Sequence, residues 1–219
     1  MQSTLHGAAP RYTLGVTPPE PFRIVRDPAP TLHGRAAEDL RFIRSTMESA
    51  GSFTAVPGKG GVAMGAVGCA AAALASQQAN GVAWLTTWLA GAAIAFVIGV
   101  FALVRKARAA GTPMARGIGA KFARTLCPPL VAGALLTLAF ALAGSFAVLP
   151  GVWLLLYGTA LMAAGSLSVR VVRWMGACFM VFGAIALLSP ARFGDLWMAL
   201  GFGGLHVAFG SIIWRNNGG

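Results

Sequence analysis

Carboxylates are nearly missing from this chain. Of 219 residues only six are Asp or Glu, and none lies within an apolar run: five precede residue 50 and Asp195 stands at the start of the last run. Ion-coupled transporters ordinarily need a carboxylate near the bilayer midplane, metal hydrolases need clustered His, Asp or Glu, and nucleophilic catalysis needs a base beside its nucleophile. None of these sets can be assembled here. The three cysteines, Cys69, Cys127 and Cys178, form no CxxC pair and sit in or at the edge of apolar runs, which excludes a disulfide framework or thiolate metal site. No enzyme activity, metal or cofactor is therefore expected. No N-terminal signal peptide is expected either, so the first apolar run is expected to act as an internal signal and to remain in the mature chain.

What the sequence does hold is hydrophobicity, at 57% of residues against 11% charged. Soluble domains carry about a quarter charged residues, so the composition predicts an all-α integral membrane protein. Six apolar runs, approximately 61–78, 82–104, 127–149, 152–169, 174–190 and 196–214, approach the ~30 Å of hydrocarbon when helical. The organisation expected is an extended or disordered arm (1–34), an amphipathic helix and interfacial turn (35–60), and a six-span bundle (61–219) arranged as three antiparallel hairpins. Pro150-Gly151 reads as an outer turn, Pro128-Pro129 as a break at the start of the third span, and Thr112-Pro113 as the opening of a short surface helix in the basic connection 105–126.

The net charge of +11 is distributed by side. Sixteen of the 17 Lys and Arg residues fall ahead of the first apolar run, in connection 105–126, at Arg170 and Arg173, and at Arg215, whereas only Arg192 falls in the alternate connections. The positive-inside rule places both termini in the cytoplasm. A basic chain invites a nucleic-acid reading, but no recognition motif accompanies the charge, and the bilayer is the expected partner.

Residues 36–50 carry Leu40, Ile43 and Met47 on one helical face, with Glu38 and Asp39 in the first turn, where the helix dipole favours anions. Its mixed charge suits docking on a partner or on the bundle better than binding to lipid. PGKGG at 57–61 departs from a phosphate loop, which requires GxxxxGK followed by Ser or Thr, and reads as a flexible turn with an interfacial lysine. In the first span Gly61, Gly65, Cys69 and Ala73 form a small-residue stripe for helix packing, with homo-oligomerisation as its other use. His206, near the middle of the sixth span with Gly203 and Gly210 around it, is the one candidate cofactor ligand; a structural histidine satisfied by hydrogen bonds is the competing reading. Tyr157, Thr159, Thr137, Ser145 and Ser166 are expected to line an interior groove or to bond across helices. The six tryptophans suit interfacial anchoring.

The segment AAEDLRFIRSTMESAGSFTAVPGKGGVAMG (residues 36–65) resembles the N-terminal signature of an uncharacterised family of bacterial multi-pass inner-membrane proteins, except that Lys59 stands where the family pattern has an aromatic residue. The resemblance implies a bacterial inner-membrane location and carries no activity or site residues. The leading expectation is a non-catalytic membrane component that binds or regulates a partner protein or complex. A small passive transporter or channel is the alternative, and a haem- or quinone-linked redox subunit the second alternative.

Overall fold

A computed structural model describes residues 38–43, 53–111 and 116–217. The described residues are helical throughout, apart from turns and one isolated parallel bridge between Phe53 and Ser168. Six helices are long and apolar enough to cross a membrane. The first five are α1 (Gly58–Ala75), α2 (Gly81–Ala109), α3 (Gly117–Leu142), α4 (Leu149–Gly165) and α5 (Arg170–Leu188). The sixth span is continuous but has three parts: α6 (Gly194–Met198), a π-helical segment (Ala199–Leu205) and α7 (His206–Asn217).

Residues 38–43 form a helical stretch that exposes Leu40 and Ile43, at 66% and 51%. Met47, the arm 1–34 and the Thr112-Pro113 pair lie outside the described residues.

Several boundaries differ from those expected, each for a local reason. PGKGG is no flexible turn, because α1 starts at Gly58 with extended Pro57 as its N-cap. The third helix begins ten residues before the predicted 127 and runs through Pro128 and Pro129. Each proline removes one donor, but the flanking turns carry the helix across them. The turn after α3 lies at 143–145 rather than at Pro150-Gly151. There Gly144 adopts φ 67°, Ser145 N–H donates to the Phe140 carbonyl (2.8 Å) and Gly144 N–H to the Ala141 carbonyl (3.1 Å). This is the paired bonding of a glycine-terminated helix end, which needs the left-handed conformation. Pro150 instead falls in the first turn of α4, where its missing N–H costs nothing.

Contacts set the direction of each pair. Gly60, Gly91 and Gly99 of α1 and α2 lie against Ala102, Ala71 and Met64, so α1 and α2 run antiparallel. Gly151, Gly158 and Gly165 of α4 meet Gly183, Met180 and Arg173 of α5, again antiparallel and along their whole length. The sixth span packs chiefly on α1, Gly210 against Gly61 and Gly203 against Cys69, and only secondarily on α5. In lipid there is no hydrophobic drive between helices, and close approach comes from small side chains that bring backbones into van der Waals contact. The glycine content of α1, α4 and the sixth span thus accounts for their central position. α2 and α3, richer in exposed Ile, Leu, Val and Phe, lie at the periphery and scarcely touch one another.

The end of the bundle that carries the basic residues is plugged. Phe53 is 1% exposed and stacks on Phe122 at 4.8 Å, within a cluster completed by Ala55, Ala107 and Ala164. Phe53 N–H donates to the Leu167 carbonyl (2.7 Å), Ser168 Oγ donates to the Phe53 carbonyl (2.6 Å), and Lys106 Nζ donates to the Val56 carbonyl (2.9 Å). Lys59 lies 5.1 Å above the Trp214 ring, a cation–π distance.

Candidate functional site

Because α2 and α3 stand apart, a cleft remains between them. Its floor is formed by α1, α4 and the sixth span, and it encloses a cavity of about 490 Å³. Leu89, Ala92 and Phe96 of α2 form one wall, and Pro129, Leu130, Ala134 and Thr137 of α3 the other. Met64 and Gly68 lie at the back, with Trp88 and Trp153 towards the end that holds Asp195, and Tyr157, Phe202 and His206 deeper in. The lining is almost wholly apolar, and its size falls within the ~300–1,000 Å³ of small-molecule sites.

Tyr157 and His206 are the polar centre of this lining. Tyr157 Oη and His206 Nε2 are 2.9 Å apart, joining α4 to the start of α7. The pair is enclosed by aromatic rings: Tyr157 meets Phe179 edge-on at 4.9 Å, and Phe202 stacks on His206 at 6.2 Å. His206 is 4% exposed. Among the described residues its Nδ1 is the one buried side-chain nitrogen or oxygen without a hydrogen-bond partner. The carbonyls of Gly201 and Phe202, one turn back, lie near the ring, but neither completes a bond to Nδ1.

The π-helical segment positions this ring. It belongs to a type of turn that recurs at functional sites and ends just before His206; Gly203 and Gly210 face α1 while the His206 ring faces Tyr157 and Phe179. The two glycines therefore do not frame the His206 ring, as regular helical spacing predicts. Nor is His206 the fully satisfied structural histidine of the competing reading: Nε2 is bonded and Nδ1 is not. Among the described residues no group of three or more His, Cys, Asp or Glu could hold a metal.

The other candidates separate. Gly61 and Gly65 pack directly on the sixth span, Cys69 meets Gly203 although it is exposed, and Ala73 is exposed too. Thr137 lines the cavity and accepts a hydrogen bond from Trp153 Nε1 at 2.7 Å. Thr159 and Ser166 bond carbonyls of their own helix and face outward, and Ser145 is exposed.

Sequence reasoning missed the role of four tryptophans. Trp84 and Trp88 both donate to Asp195 Oδ1, at 2.7 and 3.1 Å, Trp84 stacks on Trp153 at 5.7 Å, and Trp197 donates to Ser189 at 3.2 Å. These indoles hydrogen-bond and stack within the bundle. The available signal was one carboxylate at the start of a span, at the same end as Trp84, Trp88 and Trp153.

Fold and site together define a multi-pass helical membrane protein with a lateral apolar cavity and a buried Tyr–His pair. No protein-family model, curated protein or solved structure matches the chain.

Proposed function

We propose that the chain is a non-catalytic membrane component that binds an apolar or amphipathic molecule from the bilayer, with both termini in the cytoplasm of a bacterial cell and the bundle in its inner membrane. The observation that carries this reading is the cavity between α2 and α3, whose walls are the two most lipid-exposed helices and whose depth holds the Tyr157–His206 pair. A molecule already dissolved in the membrane reaches such a site without crossing water. Sidedness rests on the basic residues, since Lys59, Lys106, Arg173 and Arg215 belong to one end of the bundle and such residues remain cytoplasmic.

The test is purification from native membranes in mild detergent, followed by extraction and mass spectrometry. An apolar molecule in near-stoichiometric amount is expected with the native chain and absent after the cleft is filled by Ala92→Phe with Ala134→Phe. Equal recovery from both forms, or none from either, refutes the reading.

The exposure of Leu40 and Ile43 favours a second component, docking of a partner protein through the helix ahead of the bundle. A stoichiometric protein lost on replacing Leu40, Ile43 and Met47 with polar residues would support it. The Phe53 cluster fills the basic end and weighs against an open channel. Aromatic packing around His206 weighs against haem ligation.

A further inference from the structure

We infer that the lateral cavity recognises a neutral hydrogen-bond acceptor, a carbonyl carried on an apolar chain, through the donor that the Tyr157–His206 pair leaves over. The inference rests on the ligand-binding reading above and names the chemistry of that ligand.

The pair carries one more proton than its shared hydrogen bond uses. At membrane depth an unpaired charge is costly, so the phenol and the imidazole are both neutral, and they carry one O–H and one N–H between them. They share a single hydrogen bond of 2.9 Å. If Tyr157 O–H donates to Nε2, the imidazole proton is on Nδ1, which is closed off from the cavity and lies near the Gly201 and Phe202 carbonyls without completing a bond. If Nε2–H donates to Tyr157 Oη, the phenolic O–H is left without one. In either tautomer one proton lies outside the shared bond, and in the second it is the phenolic O–H of Tyr157, a cavity-lining residue, that a molecule in the cavity can meet. Leaving a buried donor unsatisfied is unfavourable, and the arrival of an acceptor relieves it.

The rest of the lining determines what can carry that acceptor. Apolar side chains from α2 and α3 surround the space, and Thr137 Oγ1 already donates to the Gly133 carbonyl and accepts from Trp153. An ionised headgroup would have no counter-charge among the cavity residues. A neutral carbonyl needs none. Two membrane molecules offer this chemistry: a quinone ring on a hydrocarbon tail, and an ester carbonyl on an acyl chain.

The test uses the full-length protein in lipid nanodiscs, with empty discs subtracted, and four probes: decyl-benzoquinone and its carbonyl-free match decylbenzene, and methyl decanoate and its match undecane. The carbonyl partner of at least one pair is expected to bind about 2- to 10-fold more tightly, the worth of one net hydrogen bond. Which pair shows the preference identifies the source. The variants distinguish roles: Tyr157→Phe or His206→Leu alone leaves one donor and retains part of the preference. The double variant has no donor and is expected to lose the preference while still binding the hydrocarbons. Removing both partners at once also removes the unsatisfied group, so the double variant is expected to fold. Equal binding within both pairs, or a preference undiminished in the double variant, overturns this inference and leaves the cavity reading standing. No binding of any probe overturns the cavity reading itself, and the inference with it.

Discussion

Gly210→Ala tests whether α1 and the sixth span are held by direct backbone contact. A Cβ at Gly210 would lie 2.7 Å from the Val62 nitrogen, 2.9 Å from the Gly61 carbonyl carbon and 3.0 Å from the Gly58 oxygen. All three are backbone atoms of α1, so no rotamer change relieves the clash and the helices must separate by roughly 1 Å. A gap of that size forfeits about a quarter to a half of the dispersion attraction along the seam, and overpacking of this kind costs about 1–3 kcal/mol. Gly133→Ala is the control, because its Cβ would meet only Leu156 Cδ1 at 3.6 Å, an ordinary contact. Both substitutions gain about 1 kcal/mol of helix propensity, so the difference between them reports packing alone. Tryptophan fluorescence followed through denaturation in mild detergent should place the Gly210→Ala midpoint below that of the native protein, with Gly133→Ala at or above it. Equal midpoints would refute the argument. An unchanged Gly210→Ala midpoint with a smaller particle on size exclusion would reassign this face to a contact between copies of the chain.

Other consequences follow from the two ends of the bundle. Phe53→Ala should destabilise by about 3–5 kcal/mol, as expected for a buried aromatic, and render the chain before α1 sensitive to protease; native-like resistance would show that the plug carries no stability. Asp195→Ala leaves two indole N–H groups without their acceptor, at about 1–3 kcal/mol each if they stay dry. Asp195→Asn retains an acceptor oxygen and should recover most of the loss, so equal midpoints for the two variants would argue against the indole bonds. Reporter fusions at residues 79 and 144 should read as external and those at 110 and 217 as cytoplasmic; a cytoplasmic signal at 79 would overturn the orientation.

Legibility in the sequence depended on the range of the interaction. The six spans were legible because hydropathy is a property of each helix against lipid and needs no partner. The small-residue stripe was legible in part: Gly61 and Gly65 do meet a neighbouring helix, while Ala73, spaced to continue the stripe, is exposed. Boundaries failed where a local signal has two meanings. Pro150-Gly151 suits a turn or the first turn of a helix, and Gly144, with φ 67°, determined which. His206 was singled out by its depth, but its partner Tyr157 lies 49 residues away, beyond any periodicity.

By itself the sequence determined an all-helical chain of six apolar spans, poor in carboxylates and basic in alternate connections. Those are sums over residues taken one segment at a time. The tertiary structure alone decided that the sixth span seats on α1, that α2 and α3 stand apart around a cavity, that Phe53 closes one end and that Asp195 bonds two indoles at the other. The physical reason is that lipid treats every apolar face alike. Hydropathy therefore says which segments enter the bilayer but not which faces meet. That depends on where glycine lets backbones touch and where a buried polar group, such as His206, can find a partner.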